Sequence, residues 1–337
     1  MKILITGGTG FLGRTVVQTL APAHALRLLV RPTSSRERFP DGVEFAVGDV
    51  TDQDSLARAA VGCDAVVHAA ALVKILAPPA DFDRINVVGL ENVLAATTTG
   101  AAATTVRHVV YVSSFMALGP TENSPDGMLD ESAPVDDRDW INDYERTKTL
   151  ADRAARAAIE SGAPLSVSYP GVVYGPGELT EGNILVRHIL DLAHGRLPAL
   201  LGEPQRRWNY VYVQDVADGI ARILDAAPGG RYMLGGDNVT QDRLYALIRT
   251  LAGIDVPTRR MPDWLAGLAG GAMKLGARLT GGTPKLTPDL VEVYRHDWAY
   301  SSAHAMSALG YAPRTLEQGL GLTLDWLRET PEWPTRR

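Results

Sequence analysis

The chain has 337 residues, 45% of them hydrophobic and 21% charged, with a formal net charge of −6. That allows a large buried core, in two domains or in one large α/β domain with a smaller one appended. A single cysteine, Cys63, excludes a disulfide framework and a cysteine zinc site, and the acidic balance argues against broad attraction to nucleic acid.

Residues 2–6 form a short apolar run with β-branched members, the pattern of a buried parallel strand. Gly7, Gly10 and Gly13 follow at intervals of three and lead into a helical apolar pattern of Phe11, Leu12, Val16, Val17 and Leu20. Strand, glycine turn and helix start, in that order, suit the pyrophosphate of a dinucleotide. The helix start offers unpaired N–H groups and a positive dipole end, and glycines let the phosphates come close. The expected contacts are Gly7, Thr9, Gly10, Phe11, Leu12 and Gly13. The spacing is GxxGxxG, not GxGxxG, and the plainer alternative is a glycine-rich structural turn. Only four apolar or small residues separate Lys2 from the turn, so a cytoplasmic protein without a signal peptide is expected.

Residues 25–30 read as a second strand, closed by Arg31 and Pro32. In a doubly wound sheet this strand ends at the adenosine ribose, where an acid would bond the 2′-hydroxyl and an arginine would accept a 2′-phosphate. Here Arg31 and Arg36 precede the first acid, Glu37, so NADP(H) is expected as cofactor, with NAD(H) the alternative and a solvated basic loop the plainer reading. Residues 43–47 read as a third strand, 54–60 as a helix and 65–68 as a fourth strand. The small run Ala69, Ala70, Ala71 after that strand lets a flat ring or ribose lie on the backbone, and His68 reads as a packed residue. A long helix over 81–96 contains Asn86. A fifth strand, 107–112, leads into Ser113 and Ser114, a helix over 140–159 holds Tyr144 and Lys148, and 165–169 is a sixth strand. This alternation implies a parallel sheet covered on both faces: an α/β, Rossmann-type doubly wound fold with a smaller C-terminal α/β substrate domain.

After Gly177 the rhythm changes. One helix is expected within 178–201, strands at 210–213 and 231–234, helices at 216–226 and 240–252, and an aromatic strand near 298–300. A Gly/Pro-rich connection (Gly281, Gly282, Pro284, Pro288) and a final helix over 315–327 are also expected. The weakly polar stretch 264–279 is interrupted by Lys274 and Arg278. It reads as a partly buried amphipathic helix rather than a membrane span, with an interfacial helix the alternative. The expected division is a nucleotide-binding domain over 1–170, with returning segments near 210–226 and 295–308, and a mainly substrate-binding domain over 171–337.

Tyr144 and Lys148 are four apart, on one face of a helix. Free tyrosine titrates near about 10, and a neighbouring ammonium favours its phenolate, so the pair supplies a general acid or base near neutral pH. Ser114, at the end of the fifth strand, is placed to orient a substrate carbonyl. A chance YxxxK pair on a solvated helix is common. The order of glycine turn, serine after strand five and YxxxK before strand six is what points to chemistry.

These residues sit among further matching pieces: TGGTGFLG (6–13), GDV (48–50), HAAA (68–71), NVVGLENVL (86–94), YVSSFMALG (111–119), YERTK (144–148), PGVVYGPG (170–177) and YVYVQDVADGI (210–220). The chain resembles the extended branch of the short-chain dehydrogenase/reductases, the NAD-dependent epimerase/dehydratase family, over nearly its whole length. Within that family it is similar to the dihydroflavonol reductase and 3β-hydroxysteroid dehydrogenase-like group, through LVRPTS after strand two and the DWAY…LGYAPR tail. The resemblance implies that Tyr144 is the acid/base, that Lys148 lowers its pKa and holds the nicotinamide ribose, and that Ser114 rather than Ser113 bonds the substrate oxygen. It also implies that Asp49 and Val50 hold the adenine, Ala69, Ala70 and Ala71 the adenosine side, and Pro170, Val172 and Val173 the nicotinamide amide. A homodimer through helices 81–96 and 142–159 is implied as well. Two positions depart from the nucleotide-sugar pattern: Trp208 fills the slot of a pyrophosphate-binding arginine, and Tyr169 stands where many members have arginine. Trp140, Tyr174 and Trp208 would then line an apolar aromatic pocket, or simply pack.

The expected function is therefore an NADP(H)-dependent oxidoreductase that reduces a ketone or aldehyde, or oxidises a secondary alcohol, using Ser114, Tyr144 and Lys148. The partner is a small-molecule substrate, with no nucleic acid, no metal and no membrane span. The alternatives are a nucleotide-sugar epimerase or dehydratase with tightly bound NAD(P), and a non-catalytic NADP(H)-sensing protein.

Overall fold

The computed structural model describes residues 1–334 except 75, 99–104, 125, 136–137, 281, 283 and 285; Gly281 of the Gly/Pro-rich connection thus lies outside the described residues. The first half alternates β1 (Lys2–Thr6), α1 (Phe11–Leu20), β2 (Ala25–Val30), β3 (Glu44–Val47), α2 (Gln53–Ala60) and β4 (Ala65–His68). Next come α3 (Pro79–Phe82), a π-helical turn (Asp83–Val87), α4 (Val88–Thr98), β5 (His108–Val112), a 3₁₀ turn (Phe115–Ala117), α5 (Asp143–Glu160) and β6 (Leu165–Pro170). The second half holds β7 (Val172–Tyr174), α6 (Ile184–Ala193), β8 (Arg207–Tyr212), α7 (Val213–Asp225), β9 (Arg231–Leu234), β10 (Asp237–Thr240) and α8 (Gln241–Ala252). It ends with α9 (Asp263–Thr280), α10 (Pro288–Tyr294), α11 (Ala303–Leu309) and α12 (Leu316–Arg328).

Seven strands form one parallel sheet in the order β3-β2-β1-β4-β5-β6-β9. The order turns back on itself between β1 and β4, and this switch point opens a crevice at the carboxyl ends of the strands. Both faces of each central strand are buried, which is why β1, β4 and β5 read as continuous apolar runs. Leu4, Val66 and Val109 pack under Leu56, Leu90, Val93 and Ala155 of α2, α4 and α5. Their alternates Ile5, Val67 and Val110 pack under Val16, Val17 and Leu20 of α1 and Val216 and Ile220 of α7. A second sheet, β10-β8-β7, is parallel between β7 and β8 and antiparallel between β8 and β10.

Several expectations shift. The helix expected over 81–96 is split by the π turn, whose extra residue per turn presents Asn86 to segment 72 and to α5. The helix expected from 140 starts at Asp143, because Asn142 caps it by accepting from Glu145 N at 2.9 Å. The aromatic stretch at 298–300 is no strand: it makes single bridges, Trp298 to Trp208 and Tyr300 to Leu129. The helix at 263–280 is present, but Trp264, Leu268, Leu275 and Leu279 are exposed, and it buries mainly the small residues Ala266 and Ala277. Among the described residues no helix is long and apolar enough to cross a membrane.

The turn after β1 depends on missing side chains. Gly7 has φ +73° and lies against segment 69–70, where a Cβ would meet Ala70 N at 2.5 Å. A Cβ on Gly13 would collide with the carbonyl oxygen of Gly7. Gly13→Ala is therefore expected to lower unfolding stability by roughly 1–3 kcal/mol, as overpacking does, and to push α1 off the turn. Thermal or urea unfolding checks this; a wild-type midpoint would contradict it.

Candidate active site

The glycine turn closes through Gly10 N to Gly7 O at 3.0 Å, and Gly10 then starts α1 in extended conformation with no side-chain cap. The first N–H groups of α1 thus lack side-chain partners at the mouth of the crevice. The position of a Cβ on Gly10 is nearly open, its nearest neighbour being Gly7 O at 3.4 Å. Open space, free amides and a helix dipole fit a diphosphate. The Phe11 side chain is buried and packs where a Cβ on Gly177 would come within 2.9 Å of it, and Leu12 packs into the core.

The opposite wall is held by β1 and β4 together. Thr6 Oγ1 and His68 Nδ1 share a hydrogen bond of 2.7 Å, and Ala70 N donates to Thr6 Oγ1 at 3.4 Å. This fixes Ala69, Ala70 and Ala71 beside the turn. Asn86 holds the next residue from both sides, accepting from Leu72 N at 2.7 Å and donating to Leu72 O at 3.3 Å, and it also donates to Thr147 Oγ1 at 3.0 Å. Asp49 caps its own turn through Thr51 N and Thr51 Oγ1, both at 2.9 Å, and Val50 is buried against Gly89. At the end of β2, Arg31 and Arg36 are exposed, and Arg36 lies over the Phe45 ring at 5.8 Å. Arg14 joins them. Its Nη1 donates to Glu37 O at 3.0 Å, its guanidinium covers Phe39, and its Nε pairs with Glu178 at 3.0 Å. Sequence reasoning missed Arg14; its position four residues after Gly10 on α1 was the available signal.

Ser114, Tyr144 and Lys148 meet at the carboxyl end of β5. Ser114 caps the 3₁₀ turn, accepting from Met116 N at 3.2 Å, and its hydroxyl lies near enough to the phenol of Tyr144, in the first turn of α5, to favour the phenolate. Lys148, one turn on, is 2% exposed. Its Nζ donates to Val112 O at 3.0 Å and to Tyr111 Oη at 3.4 Å, and lies 5.0 Å from the Tyr111 ring centre.

The electrostatics differ from the expected pairing. Burial raises the Tyr144 phenol above its ordinary pKa, and the opposing pull comes from the Ser114 hydroxyl rather than from the ammonium. Burial lowers Lys148 from 10.5 to about 7, with Asp152 acting against it. His68, 5.8 Å from Tyr111 in a stacked pair, is held neutral by burial and then by Lys148, its pKa lowered to about 3. His68 is buried and bonded to Thr6, as its reading as a packed residue implies, and Tyr111 is a structural member of the site to which the residue pattern gave no role.

Pro170 ends β6, paired with Leu234, and Val172 and Val173 continue into β7. Trp208, expected to line an aromatic pocket or simply to pack, is buried against other aromatic rings. With Val172, Ile184, His188, Tyr210 and Tyr294, among others, it bounds a cavity of ≈ 20 Å³. Its ring sits 4.6 Å from Tyr294 and 6.3 Å from Tyr210. Trp140 is half-buried, with its indole N–H buried and unpartnered. Tyr174 does not line this cavity: it is 1% exposed, packs against Gly319 of α12 and donates to Leu316 O at 3.4 Å. Tyr169 donates to Asp152 at 2.6 Å inside the core.

The model of the NAD-dependent epimerase/dehydratase family matches residues 3–235. A 3 beta-hydroxysteroid dehydrogenase/Delta 5→4-isomerase of Mycobacterium tuberculosis is 30% identical, over 95% of this chain and 88% of its own. A Synechocystis protein provisionally described as a dihydroflavonol 4-reductase is 26% identical, over 96% of this chain and 94% of its own. Among solved structures, that of gox2253 superposes with a TM-score of 0.81 at 31% identity, over 98% of this chain and 99% of that one.

The buried amine has a consequence for stability. Between about pH 7 and 10.5 the unfolded chain holds a proton that folded Lys148 has released, so folding stability rises with pH across that window, and below it the burial cost is felt in full. Lys148→Met removes this dependence. Relative to wild type it is expected to be most stable near pH 6 and to lose about 2 kcal/mol of that advantage by pH 9. Denaturant melts at both pH values test this; parallel curves would contradict it.

Proposed function

Because the chain belongs to the NAD-dependent epimerase/dehydratase family, we propose that it reduces a ketone or aldehyde, or oxidises the matching secondary alcohol, as an NADP(H)-dependent oxidoreductase. The observation that carries this is the Ser114 hydroxyl beside the Tyr144 phenol with Lys148 one turn on, at the carboxyl end of β5. When bound, the nicotinamide would supply or accept the hydride at the carbonyl carbon. The glycine turn and the start of α1 would hold its diphosphate, with Asp49, Val50 and Ala69–Ala71 on the adenosine side and Pro170, Val172 and Val173 at the amide. The Ser114 hydroxyl orients the substrate oxygen, and Tyr144 gives that oxygen its proton. A phenol raised by burial is protonated at neutral pH, the state a reductase needs before turnover. Ser114 favours the phenolate left behind, and Lys148, whose amine is directed to Val112 O and Tyr111 Oη, would hold the ribose hydroxyls.

Arg31 and Arg36, joined by Arg14, favour the 2′-phosphate of NADP(H). The Trp208–Tyr294–Tyr210 stack favours a substrate of modest polarity over a nucleotide sugar. In this reading the protein is cytoplasmic and homodimeric, and residues 171–337 mainly bind substrate. The family's own description covers epimerases and dehydratases, so a nucleotide-sugar enzyme that recycles a tightly held cofactor is the second reading. It would purify with nicotinamide bound, and UDP- or GDP-sugars would raise its melting temperature.

NADPH and NADH oxidation against a panel of aldehydes, ketones and nucleotide keto-sugars separates these readings. Tyr144→Phe is expected to bind NADPH normally while kcat falls by about 10²–10⁴, the usual yield of a positioned acid. Wild-type turnover in that variant would sink the mechanism. Arg31→Ser with Arg36→Ser is expected to raise KM for NADPH by about tenfold or more, leaving NADH unaffected, as loss of charged hydrogen bonds does. Equal effects on both cofactors would remove the NADP(H) assignment.

A further inference from the structure

Arg138, on the segment just before α5, bonds to the residues that follow Tyr144 and Lys148 and to the short turn that Ser114 caps. Its Nε donates to Glu145 Oε1 at 2.9 Å, and Glu145 follows Tyr144. Its Nη2 donates to Thr149 Oγ1 at 3.2 Å, and Thr149 follows Lys148. The same nitrogen donates to Met116 O at 3.1 Å and Ala117 O at 3.3 Å, in the 3₁₀ turn that Ser114 caps. Glu145 is fully buried and accepts from Ile141 N at 2.8 Å through its other oxygen, so it is itself held in place. Gly119, with φ +89°, leaves the guanidinium its room: a Cβ there would lie 2.9 Å from Arg138 Cζ.

We infer that Arg138 is a positioning residue, whose guanidinium, braced by Glu145, sets the Ser114 turn in register with the helix that carries Tyr144 and Lys148. The inference rests on the Ser114–Tyr144–Lys148 reading of the site. Two pieces meet there, the end of β5 and the start of α5, and the Ser114 hydroxyl stays beside the Tyr144 phenol only if they keep their relative position. A planar fork reaches carboxylate, hydroxyl and two carbonyls at once, whereas a lysine ammonium is a single point charge on a flexible stem. Displacement by about 1 Å in such a constellation costs about a hundredfold in rate.

Arg138→Lys keeps a cation against Glu145, and the double variant Arg138→Met with Glu145→Gln removes the buried charge pair altogether; between them they guard against simple misfolding. In each folded variant a crystal structure is expected to show the separation of Ser114 Oγ and Tyr144 Oη changed by about 1 Å from that in wild type. With NADPH and the ketone that wild type reduces fastest in the panel above, Arg138→Lys is expected to lose about 10- to 100-fold in kcat with KM for NADPH unchanged. A Ser114–Tyr144 separation unchanged from wild type in the variants overturns the inference, as does wild-type kcat in a variant that has merely lost thermal stability. The crystallographic readout needs no turnover, so it decides the inference even if Tyr144→Phe proves fully active and the oxidoreductase reading fails.

Discussion

Lys148 carries an ammonium group to a place that water barely reaches, and the rest of the site is arranged around that fact. Desolvation pulls its pKa down to about 7, while Val112 O, the Tyr111 hydroxyl and ring, and the field of Asp152 keep the charged form accessible. Burial first, and then the Lys148 charge, hold His68 neutral, so that it adds no second positive charge beside the first. A buried amine near its titration point is sensitive to what is placed beside it, which suits a group meant to work with a phenol one turn away.

That amine is only as well placed as the helix beneath it. The start of α5 is tied down on three sides. Asn142 caps it, Arg146 forms a two-bond pair with Asp83 of the π turn at 2.7 and 2.9 Å, and Thr147 meets Asn86. Asn86 in turn fixes Leu72, so the wall that follows β4 and the helix that carries Tyr144 move as one piece. The sheet supplies the other half. Its order reverses between β1 and β4, and the glycine turn leans directly on segment 69–70. The phosphate end and the reactive end of the crevice therefore share one frame.

Much of this was legible in the residue pattern for identifiable reasons. Parallel strands buried on both faces must be apolar throughout, so β1, β4 and β5 announce themselves. Gly7 and Gly13 are required by contacts that no side chain could survive, so their spacing marks the turn. Ser114, Tyr144 and Lys148 were found because YxxxK follows a strand that ends in serine. What stayed hidden depends on contacts across long sequence distances. β7 and β10 are three and four residues long and exist only through pairing with β8. The π turn has no local signature apart from an asparagine inside a helix. Tyr174 looked like a pocket aromatic because exposure cannot be read from residue type, and it packs under α12 instead. No local pattern marks Arg138, because its four acceptors lie 7 to 22 residues away. The Tyr144 phenol went the other way from expectation because burial outweighs a neighbouring amine whose hydrogen bonds are directed elsewhere.

The central claim is that hydride and proton are delivered to one carbonyl group at the mouth of β5. Incubating the protein with NADPH carrying two deuterium atoms at nicotinamide C4 and a reducible ketone, then examining the alcohol by mass spectrometry and NMR, tests it most directly. The account predicts a product with a single deuterium on the former carbonyl carbon and none from deuterated solvent at that position. An alcohol without that label, or a cofactor left unconsumed across every carbonyl class offered, would contradict it.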